Sequence, residues 1–149
     1  MAAEVWFYHL ETKPLAHVLA DLLEKCHARG WNAIVRGPNP KKLDELDAGL
    51  WSFDEASFLP HGRDGIDAAR QPILLTPNTS NPNGAKALFL VDGAAPETLD
   101  GYERVCVLID GGDEAAVKIA RGHWKDVKAS GAAVSYWRQS ETGRWEKKA

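Results

Sequence analysis

Val105-Cys106-Val107-Leu108-Ile109 is a run of five apolar residues with no polar interruption. Such a run suits a strand buried on both faces, and Ala87-Leu88-Phe89-Leu90-Val91 reads the same way. Working outward, Asp113 follows the first run and is placed to cap a helix that reaches about Ser130, where Gly131 ends it. Glu4 to Leu10 is short, aromatic and β-branched, which predicts an opening strand. Pro14 suits a first helical turn, and Leu15, Val18, Leu19, Leu22, Leu23 and Cys26 then recur at helical spacing until Gly30. Trp31 to Arg36 reads as a second strand, Leu43 to Leu50 as a shorter acidic helix, and Pro72 to Thr76 as a brief strand. Strands alternating with helices, the central strands wholly apolar, predict one open α/β sheet that is mostly parallel.

Two segments carry finer expectations. Pro77 to Gly84 is dense turn material, too short for a helical crossover, so a hairpin and hence a mixed sheet is expected there. Val134 to Trp137 predicts a last strand, followed from about residue 139 by a frayed basic tail. No repeat or interdomain linker divides the 149 residues, so residues 1–149 are expected to form a single domain.

Composition narrows the function. Hydrophobic content of 44% with 26% charged residues is that of a soluble globular protein, and no apolar run approaches the roughly 18 residues a membrane helix needs. The opening residues Met1 to Trp6 carry no basic region before an apolar stretch, so no signal peptide is expected and the location is read as cytoplasmic. Cys26 and Cys106 sit inside apolar periodic segments and read as buried free thiols, a disulfide being the alternative. Residues 112–149 hold eight basic and five acidic side chains, a net +3, against −6 for residues 1–111. An acidic body with a basic C-terminal segment predicts one local cationic surface, suited to phosphate or to an acidic peptide.

Catalytic and cofactor motifs are scarce. The turn after the first strand (His9, Glu11, Thr12, Lys13) has no glycine, whereas a dinucleotide fingerprint needs glycines so that backbone can approach a pyrophosphate. Gly84-Ala85-Lys86 lacks the spacing and ending of a P-loop. The histidines show no paired metal-ligand spacing; His17 and His27 are about 80° short of sharing a helix face. His61 with Asp64 and Asp67 alone hints at metal or acid–base work, the plainer reading being a solvated loop.

The last predicted helix is more informative. At 100° per residue, Ala116, Ile119, Ala120, His123 and Val127 share one face, taken as the core side. Val117, Arg121, Trp124 and Lys128 line a flank, with Lys118 and Lys125 further round. An apolar–aromatic strip edged by cations suits a ligand with both apolar and anionic groups, such as a peptide C-terminus with an acidic lead-in. The alternative is that Trp124 packs at the core edge while the cations are merely solvated.

A middle block completes the picture: Leu50-Trp51-Ser52 and Ser57-Phe58-Leu59-Pro60-His61, before a Gly-Arg-Asp-Gly turn. Together with Ala120-Arg121, Trp124-Lys125 and Gly131, and more loosely Phe7-Tyr8, it resembles the chi subunit family of bacterial DNA polymerase III, small accessory proteins of the clamp loader. The resemblance implies a Rossmann-like α/β sheet with helices on both faces and no functional nucleotide site, no cofactor and no catalysis. It implies that the last helix binds the acidic C-terminal tail of single-stranded DNA-binding protein, which ends in phenylalanine. Arg121 and Lys125 would then meet carboxylates and Trp124 would wall the pocket for the terminal ring, Lys128 belonging to the same strip. Val117 falls where the family has a basic residue, with Lys118 adjacent. A second surface, at Trp51, Phe58, Leu59 and Pro60, would contact a psi subunit or a helicase partner. Two rival readings are an enzyme centred on His61, Asp64 and Asp67, and a direct single-stranded nucleic-acid binder stacking bases on Trp124, Trp137 and Trp145.

Overall fold

The computed structural model describes residues 4–10, 15–52, 61–63, 68–96, 101–140, 142 and 144–148. Among these residues eight strands form one sheet: β1 (Glu4–Leu10), β2 (Ala33–Arg36), β3 (His61–Arg63), β4 (Ile73–Thr76), β5 (Ala87–Leu90), β6 (Arg104–Asp110), β7 (Val134–Gln139) and β8 (Trp145–Lys147). Their spatial order is β3-β4-β2-β5-β6-β1-β7-β8, and every pairing is parallel except β7 with β8. Three α-helices, α1 (Leu15–Ala28), α2 (Pro40–Ser52) and α3 (Glu114–Ala129), cover its faces.

The strand periodicity of two divides the core. Tyr8, Leu10, Val35, Phe89 and Leu108 point to one face, where Leu19 and Leu23 of α1 and Leu43 and Leu46 of α2 cover them. Phe7, Leu88, Val105 and Val107 point to the other, against Ala120 and Val127 of α3 and Tyr102. Helices on both faces of a mostly parallel sheet are what the sequence predicts, and β6 is an interior strand running parallel to β2. Local chemistry sets the helix ends. The Asp113 carboxylate accepts the Ala115 and Ala116 amides at 3.0 and 3.3 Å, opening α3. Gly131, with φ of +84°, follows its last turn in a left-handed conformation that residues with a side chain rarely adopt.

The structure corrects two expectations. No hairpin joins β4 to β5: both lie parallel to β2 on its opposite sides, so residues 77–86 form a crossover without a helix. Arg36, 4% exposed at the end of β2, anchors that crossover by donating to the Asn78 and Thr79 carbonyls at 3.2 and 3.3 Å and reaching the Tyr102 hydroxyl at 3.5 Å. Asn83 anchors its far end through donations to Ala33 and Gln71 carbonyls at 3.2 and 2.8 Å. The Arg36 side chain thus satisfies crossover carbonyls that a helix would have bonded internally, while Asn83 ties the crossover to its surroundings. The mixed character of the sheet arises instead at β7–β8, because the segment beyond residue 139, expected to fray, folds back as β8. Trp145 drives this: it stands edge-on to Tyr8, ring centroids 4.9 Å apart. Cys26 and Cys106 are buried free thiols.

Candidate protein-binding surface on the last helix

The rotation of α3 on the sheet decides which side chains it presents. Val117 and Trp124 pack toward the core with Ala120 and Val127, whereas Ile119, expected in the core, is 48% exposed. The cause is aromatic. Phe7 of β1 and Tyr136 of β7 lie near-parallel with centroids 6.3 Å apart, and the Trp124 indole meets both edge-on, at 5.4 and 5.6 Å. These contacts turn the helix so that Trp124, not Ile119, faces the sheet. Trp124 is therefore at the core edge, half-buried, with part of its surface open.

That rotation gathers the cations. Lys118, Arg121, Lys125 and Lys128 are all exposed, and their spacing confines them to an arc of about 80°. The Lys128 ammonium lies 5.9 Å from the Trp124 ring centroid, at the outer range of a cation–π contact. Half-buried Val117 stands one turn before Arg121 and extends the apolar floor. On the far side of that floor, the Tyr136 hydroxyl is 2.7 Å from His9 Nδ1, and exposed Arg138 pairs in register with His9. The half-buried Val117, Trp124 and Tyr136 form an aromatic strip, or trough, edged by a ridge of four positive charges, a combination suited to an apolar ring that carries a carboxylate. Tyr136, His9 and Arg138 were not singled out by the sequence; a Tyr-Trp pair in a terminal strand was their one signal.

The other sequence-predicted sites fare differently. Trp51 lies in the last turn of α2, and Phe58, Leu59 and Pro60 fall outside the described residues, so the second surface has no described side-chain geometry. His61 opens β3, while Asp64 and Asp67 also fall outside them. Among the described residues, no group of three or more His, Cys, Asp or Glu side chains could hold a metal ion. No helix among the described residues is long and apolar enough to cross a membrane. Trp137 stacks on Trp6 at 5.5 Å, and Trp145 is engaged by Tyr8, so both rings have protein partners on the face away from α3.

Comparison with known proteins matches this chain, over residues 2–135, to the family model described as "DNA polymerase III chi subunit, HolC". The chain belongs to the DNA polymerase III chi subunit family. A chi relative from Rickettsia prowazekii (strain Madrid E), named "Probable DNA polymerase III subunit chi", is 23% identical over 151 residues, covering 94% of this chain and 88% of that protein. The chi family places the chain among accessory subunits of the replicative polymerase. The family match takes in all of α3 and stops inside β7, so Arg138 and β8 lie beyond it.

Proposed function

We propose that this chi-family chain is a non-catalytic, cytoplasmic adaptor whose α3 trough receives the acidic, phenylalanine-ended C-terminal tail of single-stranded DNA-binding protein. Its link to the clamp loader or to another replication partner would run through the surface that includes Trp51, Phe58, Leu59 and Pro60. The observation that carries the reading is the cation ridge of α3 beside the half-buried Trp124 ring. A terminal carboxylate next to an aromatic ring needs a fork-shaped donor beside an apolar wall, and Arg121 supplies that fork better than a lysine would. Lys118, Lys125 and Lys128 offer point charges to the acidic lead-in. Family membership supports a replication role, and the net +3 of residues 112–149 supports an anionic ligand.

The test is calorimetric titration with a synthetic tail peptide, intact and lacking its last residue. Loss of the terminal phenylalanine should abolish most of the affinity. Arg121→Ala should weaken binding about 30-fold, the effect of removing one partner of a charge-assisted contact, while Arg63→Ala on β3 changes little. Unchanged affinity in a folded Arg121→Ala protein rules the trough out.

A further inference from the structure

The far flank of α3 opens on a crevice of the opposite sign. It lies beyond the carboxyl ends of β1, β2, β5 and β6, where the first turns of α1, α2 and α3 converge, and encloses about 550 Å³. Its floor is apolar, built from Leu10, Leu15, Leu43, Leu46 and Leu108. At its mouth stands Ile119, the one large hydrophobic side chain exposed among the described residues. Asp92 and Gly93, both left-handed (φ +54° and +74°), turn the chain tightly after β5 and bring its backbone under Ile119, where a side chain on Gly93 would touch the isoleucine at 3.9 Å.

In open α/β sheets this is the usual position for a ligand, commonly an anionic one held by free amides of a helix N-terminus. Here side chains already cap amides of two of the three helices: the Asp113 carboxylate accepts two in the first turn of α3, and the Asn39 side chain accepts the Lys41 amide at 3.0 Å in α2. The charged groups among the described lining residues are Glu45, Asp92, Asp110 and Asp113 against a single Lys42. Lys42 is bonded to Asp92 at 2.9 Å, and that contact, reinforced by the charges of Asp113 and Glu45, raises its pKa. A phosphate would meet carboxylates and capped amides. A cation attached to an apolar side chain would meet complementary groups.

We propose that this crevice docks a basic, apolar segment of a partner protein, with an aliphatic side chain against Ile119 and the leucine floor and Lys or Arg groups against Glu45, Asp110 and Asp113. It is separate from the α3 trough, whose ligand is acidic, so one helix would carry two docking surfaces of opposite charge preference on its two flanks.

The experiment uses the full chain with methyl-labelled isoleucine and three probes: a short amphipathic Leu/Arg peptide, its Leu/Glu twin, and ADP. The Leu/Arg peptide should shift the Ile119 methyl resonance, and the twin should bind at least about tenfold more weakly. Ile119→Ser should weaken the Leu/Arg peptide about tenfold, and Asp110→Asn should weaken it and flatten its salt dependence. Both variants should retain full affinity for the acidic tail peptide if it binds the trough. Equal binding of the twin, displacement of the basic peptide by ADP, an unmoved Ile119 resonance, or unchanged affinity in both variants overturns the proposal.

Discussion

The Trp124 indole stands edge-on to the Tyr136 phenol, ring centroids 5.6 Å apart and planes at 84°. One ring thus belongs to two structures, the α3–sheet interface and the wall of the trough. Trp124→Ala should lower stability by about 3 kcal/mol through lost packing on Phe7 and Tyr136 and also weaken tail binding. Trp124→Phe should keep most of the stability. Arg121→Ala, an exposed change, should leave the urea midpoint unmoved. If Trp124→Ala costs no stability, the interface described here is wrong.

Salt should separate the two parts of the trough. The exposed Lys118, Lys125 and Lys128 would hold the acidic lead-in by screened attraction, so tail affinity should drop several-fold between about 0.05 and 0.3 M NaCl. The remaining binding at high salt should be carried by the aromatic ring and should vanish with the peptide's terminal phenylalanine. An affinity indifferent to salt would remove the ridge from the mechanism.

Alkaline pH should destabilise the domain. Burial pushes the Tyr8 hydroxyl and the Cys26 and Cys106 thiols above their ordinary pKa values of 10.0 and 9.0. As pH rises past 9, the unfolded chain releases these protons before the folded one does, so stability is retained below the unfolded values and declines above them. The melting temperature should therefore be level near neutrality and fall from about pH 9 upward. Cys106→Ala should reduce that slope; the same slope in the variant would show that other groups carry it.

The β7–β8 hairpin should be measurable as stability. Trp145 covers Tyr8, and β8 pairs Gln139 with Trp145. Trp145→Ala should cost about 2 kcal/mol in urea unfolding, less than a full core deletion because the ring is half-buried. An unchanged midpoint would mean that the hairpin adds nothing to the fold.

Much of the fold was legible in the sequence. Unbroken apolar runs at Ala87–Leu90 and Val105–Ile109 mark central strands because only a strand covered on both faces wants every residue apolar. Asp113 and Gly131 mark α3 because caps act locally. The rotation of α3 was not legible: Ala116, Ile119 and His123 offer as good an apolar face as Val117 and Trp124, and the choice falls to Phe7 and Tyr136, distant in sequence. The crossover at 77–86 misled for a similar reason: it is tied to β2, through the Arg36 side chain and through Asn83 donating to the Ala33 carbonyl, and these partners are distant in sequence. Of the trough, the cations and Trp124 were visible from helical spacing, while its floor from β1 and β7 was assembled by topology.

The place of β1 bears on how the protein comes into being. Its two neighbours are β6, whose Arg104 faces Glu4, and β7, later still. Strand β1 thus leaves the ribosome about 100 residues, on the order of 5–20 s of synthesis, before either partner exists. Throughout that interval Val5, Phe7, Tyr8 and Leu10 travel without the sheet that will enclose them, and pairing so distant in sequence closes slowly. A nascent chain stalled before β6 should be a client for chaperones, whereas one released after β7 should not.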